Sequence, residues 1–333
     1  PKGHLAASEQ WKLPVVSSSV FVPVSSETLS TMDEAENITI KGKVLSVVFS
    51  KKNGEITSYA VDGNDYLLEG LRPNFWRPLT DNDVANKLGS RSETWKNAGN
   101  ELVVKEFSAD VSTDKKSVIV KVSYDMPLQE SSCSVIYTVY ADGIIKTAYS
   151  FVPGEKQLPE IPRVGMRMIL KGEYDQITWF GRGPQENYWD RKSGADIDLY
   201  KASVWDQYHP YVRAQETANK SDVRWVALQN QAGNGILVKS ACQPLGISAW
   251  NFPMKDIEYI PSSIQHIHGG SIEKKDMVWL NIDKQQMGVG GDNTWGAQTH
   301  PEYTITPVSQ EYSFFIIPVD KQTNLVEISK LNR

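Results

Sequence analysis

Residues 179–192, WFGRGPQENYWDRK, crowd two carboxylates, two arginines and four aromatic rings into one short run. Glu186 and Asp190 have the residue types of a general acid and a nucleophile. A glycoside-cleaving pair of that kind must face each other across the scissile bond, ~5 Å or ~6.5–9.5 Å apart. The same residues also support a second reading. Glu186 and Asp190 lie close to Arg182 and Arg191 in sequence, and ion pairs among them would shape a loop without any chemistry. Gly181, Gly183 and Pro184 bend the backbone here.

Three further stretches carry candidate groups. In PLTDND, residues 78–83, Asp81 and Asp83 alternate as oxygen ligands of a cation such as Ca²⁺ do. No EF-hand continuation follows, and helix capping or turn formation is the competing role. In QHIHGG, residues 265–270, His266 and His268 would share one face of a strand, but no third metal ligand is evident. In MGVGGDNTWG, residues 287–296, four glycines leave Trp295 presented on a loop beside Asp292 and Asn293. No Lys-Ser/Thr and no helix signal follows, so this is not a phosphate-binding loop. Trp295 reads either as a ligand-contacting aromatic or as a core residue. No nucleophile elbow and no zinc-binding helix motif occurs. No catalytic residue and no metal site is assigned.

The elements that must position these groups are strands. Asn53-Gly54 within 44–63, Asp142-Gly143 within 132–151 and Asn234-Gly235 within 224–240 each predict a hairpin. Residues 277–283 and 311–319 read as further strands. Helical periodicity is weak, with short helices expected only in 91–99 and 202–211. Many hairpins and few helices predict an all-β chain built as one large antiparallel sandwich. Residues 14–37 are rich in serine, with Pro14 and Pro23, and read as a strand end followed by a linker. The expected division is 1–20 as the last strand of a preceding domain, 21–37 as linker, and 38–333 as the sandwich.

Composition excludes several classes. The 35 basic and 40 acidic residues are evenly mixed for a net charge of −5, so no basic stripe offers a nucleic-acid surface. No apolar run approaches the ~20 residues of a membrane span. Cys133 and Cys242 are the only cysteines and form no disulfide framework. The start, PKGHLAASEQWKLP, lacks an apolar signal core and reads as mid-protein. The 10 Trp and 14 Tyr suit either sugar platforms or a large aromatic core.

FWRPLTDND, WFGRGPQENYWDRK, YVRAQETANKSDVRW and VWLNIDKQQMGVGGDNTWG occur in this order. Together they resemble the C-terminal small-chain domain of the large bacterial β-galactosidases of glycoside hydrolase family 2. GHLAASEQWKL resembles the last strand of the immunoglobulin-like domain that precedes it there. The resemblance implies a galactose mutarotase-like supersandwich, and places the two catalytic glutamates of a retaining mechanism in an upstream TIM barrel. It implies that WFGRGPQENYWDRK is a scaffold signature. It implies Mg²⁺ and Na⁺ bound to the barrel, with no cofactor in this chain. It implies a β-galactoside substrate, the upstream barrel and a homo-oligomer as partners. Trp295 resembles the aromatic that stacks on substrate at the barrel mouth, with Asp292 and Asn293 beside it. Asp81, Asn82 and Asp83 resemble the entry to a mobile active-site loop. The family pattern has Gly two residues after DND; Ala85 stands there and is less free at positive φ. Two alternatives use the same residues differently: a free-standing carbohydrate-binding module, or a mutarotase-like epimerase, which would need a Glu–His acid–base pair.

Overall fold

A computed structural model of the chain describes residues 3–4, 7–14, 26–261, 267–293 and 295–331. The first five strands are β1 (Ser30–Asp33), β2 (Asn37–Lys41), β3 (Leu45–Ser50), β4 (Ile56–Val61) and β5 (Asn64–Asp65). Next come β6 (Leu67–Asn74) and two short helices, α1 (Asp81–Ala85) and α2 (Leu88–Arg91). The middle of the chain forms β7 (Val103–Val111), β8 (Ser117–Met126), β9 (Ser131–Tyr140), β10 (Ile145–Val152), β11 (Arg163–Lys171), β12 (Gln176–Gly183) and β13 (Asp196–Ser203). It closes with β14 (Lys220–Val223), β15 (Trp225–Gln229), β16 (Gly235–Ser240), β17 (Leu245–Trp250), β18 (Met277–Gln286), β19 (Gln310–Val319) and α3 (Leu325–Ile328).

Three sheets result: β1-β2-β3-β4-β5, then β13-β12-β15-β16-β19-β10-β9-β8-β7, then β14-β17-β18-β11-β6. Every ladder among the described residues is antiparallel. The nine-stranded sheet forms one layer of the sandwich. In β9 the side chains of Cys133, Val135, Tyr137 and Val139 alternate inward, as the two-residue period of a strand requires. The two five-stranded sheets cover that face. Phe49 of β3 packs on Tyr137 with ring centres 5.2 Å apart, and the Tyr312 hydroxyl of β19 donates to the Ile282 carbonyl of β18 at 2.8 Å. Each such aromatic contributes about 1.5–3 kcal/mol by leaving water. The large antiparallel sandwich expected from the hairpin signals is therefore what forms.

Local differences have identifiable causes. The third hairpin joins β15 to β16, but its positive-φ residue is Gly233 (φ +86), and Gly235 already pairs with Gln229. The Asn230 side chain accepts from the amides of Ala232 and Asn234, which moves the turn forward. The expected helices reduce to single 3₁₀ turns, Glu93–Trp95 and Trp205–Gln207. Trp95, fully buried between Phe75 and Phe151, packs as a plug and needs no longer helix. Ser30–Asp33, inside the stretch expected as linker, forms β1 because Leu29 is buried and Ser30 to Asp33 pair with Ile38 to Lys41.

Candidate functional site

The PLTDND motif folds into the first turn of α1. Thr80 is the N-cap: its hydroxyl accepts from the Asp83 amide at 3.1 Å, and Asp83 Oδ2 accepts from the Thr80 amide at 3.0 Å. This capping box stabilises the short helix by about 1 kcal/mol. Asp83 is also buried against Arg77, whose Nε and Nη2 donate to its two oxygens at 3.1 and 2.9 Å. Arg77 directs its remaining N–H groups to the far end of the sequence. Nη2 donates to the Gly288 carbonyl at 2.8 Å, and Nη1 donates to the Met287 carbonyl and to Gln286 Oε1.

The glycine-rich loop is thereby clamped to α1. Asn82 Nδ2 donates to the Val289 carbonyl at 3.0 Å. Asp190 accepts from the amides of Val289 and Gly290, at 3.1 and 2.7 Å. Its carboxylate comes so close that a Cβ on residue 288 would lie 2.7 Å away, which accounts for Gly288. At the loop tip, a Cβ on Gly296 would lie 3.3 Å from the Ala85 carbonyl. The two sequence motifs thus meet at one place. Ala85 itself is helical, a conformation alanine favours, and the positive φ falls at Lys87 (φ 62).

The tip residues have distinct settings. Asn293 Oδ1 accepts from the Trp295 amide at 2.8 Å, and Asp292 pairs with His300 Nε2 at 2.8 Å. The hydrogen bond and charge of Asp292 hold His300 above its ordinary pKa. The Trp295 indole is 92% exposed. Asp81 is held by Arg213 Nε at 2.7 Å and Gln215 Nε2 at 3.0 Å. Asp83 and Asp81 are thus committed to an arginine each. Among the described residues no group of three His, Cys, Asp or Glu side chains gathers as a metal site would require.

WFGRGPQENYWDRK forms the end of β12 and the turn after it. Glu186 Oε1 accepts from Arg191 at 2.8 Å and from the Tyr211 hydroxyl; Oε2 accepts from Thr217 Oγ1 at 3.1 Å and the Ala218 amide at 2.8 Å. Asp190 serves the glycine-rich loop instead. Two carboxylates absorbed in separate networks fit the scaffold reading of this stretch. His268 Nδ1 lies 3.0 Å from the Val212 carbonyl, and His266 falls outside the described residues.

Sequence reasoning missed a buried charged chain behind the loop. Arg163 Nη2 donates to Glu216 Oε1 at 3.2 Å, and its Nε lies 3.3 Å from Asp283 Oδ2. Gln286 Nε2 donates to the same Glu216 oxygen at 3.3 Å, which joins this group to Arg77. All three ions are fully buried. Burial pushes Asp283 up to about 7 although Arg163 works against it, and it raises Glu216 as well. A weak signal existed: Arg163 and Asp283 are charged residues in strands that are buried along most of their length.

The family model described as "Beta galactosidase small chain" matches residues 41–316. The chain belongs to the β-galactosidase small-chain family. A β-galactosidase of Priestia megaterium is 38% identical to this small-chain domain over 304 residues, covering 91% of this chain. One from Lactobacillus delbrueckii subsp. bulgaricus is 32% identical over 275 residues, covering 82%. The small-chain domain spans only 28% and 26% of the lengths of these two relatives. A galactose 1-epimerase from Lactobacillus acidophilus NCFM aligns with a TM-score of 0.49 at 8% identity, over 90% of this chain and 99% of that one.

Proposed function

We propose that this chain is the non-catalytic C-terminal region of a family 2 β-galactosidase that hydrolyses terminal, lactose-like β-D-galactosides. In this reading the retaining pair of glutamates belongs to an upstream TIM barrel, together with Mg²⁺ and Na⁺. The small-chain domain shapes the aglycone side of the active site and contributes to a homo-oligomer. Asp81, Asn82 and Asp83 stiffen the entry loop, while Asp292 and Asn293 hold the loop from which Trp295 reaches the sugar.

One observation carries the proposal: an almost fully exposed indole stands on a loop braced from behind by Arg77, Asn82 and Asp190. A single exposed apolar side chain is ordinary on a protein surface; what sets this indole apart is the bracing, which holds it in position for a partner or ligand. The mutarotase-like alternative needs a Glu–His pair. Glu186 is saturated by four donors, and His268 sits on a backbone carbonyl.

Kinetics on a chromogenic β-galactoside test the reading. The 333-residue chain alone is expected to give no turnover, and Trp295→Ala in the full-length enzyme to raise KM several-fold, since aromatic stacking contributes about 1 kcal/mol. The same substitution should leave the melting temperature of the chain almost unchanged. A buried Trp would instead cost ~3–5 kcal/mol. An unchanged KM with a large drop in Tm would refute the assignment of Trp295, and turnover that tracks the purified chain would refute its non-catalytic role.

A further inference from the structure

A second surface on this domain has the character of a ligand site. A cleft of about 280 Å³ opens where β14, β17 and β18 run side by side, closed on its fourth side by the turn after β12. Its lining includes Trp189, Asn219, Ser221, Gln243, Gly246 and Gln285. Amides and a hydroxyl around one indole match the way proteins bind hydroxylated rings: the aromatic takes C–H groups, and the amides take hydroxyls in both donor and acceptor roles.

Beneath the cleft surface lies an unexplained acceptor. Asn219 is almost fully buried; its Nδ2 donates to the Asn187 carbonyl at 2.7 Å, yet Oδ1 meets no donor among the described residues. A buried acceptor without a donor costs on the order of 1–3 kcal/mol, so its presence calls for an account. The atom is sealed from water beside Gly246, where a Cβ would sit 3.7 Å from it. The neighbouring Asp222 holds a positive φ of 53, uncommon for a residue with a side chain.

The charged side chains at the rim are each hydrogen-bonded, Asp222 to two cations and Lys284 to a neutral amide. Asp222 accepts from Arg182 Nε at 2.6 Å and from Lys192 Nζ at 3.1 Å, and Lys284 Nζ donates to Gln310 Oε1 at 2.6 Å. A ligand would meet amides, a hydroxyl, one aromatic surface and the Lys284 ammonium, whose hydrogen-bond partner carries no charge. The volume lies at the lower end of small-molecule sites, which suits a single ring.

We infer that this cleft is a binding site for one neutral pyranose ring, separate from the Trp295 loop and intrinsic to this domain. The choice of galactose as probe rests on the β-galactosidase reading above; the existence of the site does not.

The experiment is a titration of the 333-residue chain with D-galactose and, separately, D-glucose, followed by saturation-transfer NMR and calorimetry. Saturable binding with a Kd on the order of 1 mM is expected. Gly246→Val adds a branched side chain to the cleft, its Cβ at ordinary contact distances of 3.4 Å from Asp283 Cβ and 3.7 Å from Asn219 Oδ1. It should weaken binding at least tenfold. Gln243→Ala and Gln285→Ala, which leave the core alone, should each weaken it about threefold and serve if the valine variant fails to fold. Binding of D-glucose but not D-galactose would keep the site and remove its galactoside preference. No saturation with either sugar overturns the inference. So does binding that survives all three cleft variants, or that is lost only in Trp295→Ala.

Discussion

Replacing Arg77 by Met tests the clamp that joins the two ends of the sequence. The guanidinium is completely buried and bridges Asp83 to the backbone at Met287 and Gly288. Methionine keeps much of the volume and removes every donor. Asp83 would then be a buried carboxylate whose one remaining donor is the Thr80 amide. Breaking a buried pair in this way costs ~3–5 kcal/mol, because the remaining charge loses its partner but not its desolvation. At roughly 2–4 °C per kcal/mol for a large domain, the melting temperature should fall by about 6–20 °C. The damage should be local in origin. Amides of residues 287–291 should exchange hydrogen much faster, while those of β9 and β10 keep their protection until global unfolding. Arg77→Met, Asp83→Leu should recover part of the loss, since two apolar groups need no counter-ion. A melting temperature within 1–2 °C of the parent, with unchanged exchange at 287–291, would refute the clamp.

Two other outcomes follow from the same geometry. Burial pushes the Asp283 carboxyl up to about 7 from an ordinary value of 3.8, so below both values the fold has its full contribution from this group and stability falls as pH rises from about 4 to 7. Asp283→Asn should flatten that slope by on the order of 2–4 kcal/mol across the window, read from melts at pH 5 and pH 8; an unchanged slope would show that Asp283 ionises normally. Gly288→Ala places a Cβ 2.7 Å from the Asp190 carboxyl carbon and 2.9 Å from Tyr303 Cβ and should cost about 1–3 kcal/mol; the Asp190 share of that cost should disappear in an Asp190→Ala background, and equal costs in both would contradict the close approach of Asp190.

The sequence by itself determined the class of this protein. Asn53-Gly54 and Asp142-Gly143 lie in the turns that join β3 to β4 and β9 to β10, and alternation in β9 decides which side chains face the core. Hairpin pairing is local, so turn chemistry and a two-residue period suffice to specify it. The four ordered motifs were enough for the family. Only the tertiary structure decided what the charged residues do. Arg77 meets the carbonyls of Met287 and Gly288 across more than two hundred positions, and Asp190 meets Val289 and Gly290 across about a hundred. No local period or spacing encodes such contacts. WFGRGPQENYWDRK illustrates the point: nearness in sequence suggested that Glu186 and Asp190 work together, whereas the fold sends one to Tyr211, Thr217 and Ala218 and the other to the glycine-rich loop. A strand's side chains diverge to opposite faces and a turn redirects them again, so a carboxylate's partner is set by which distant backbone the fold brings to it.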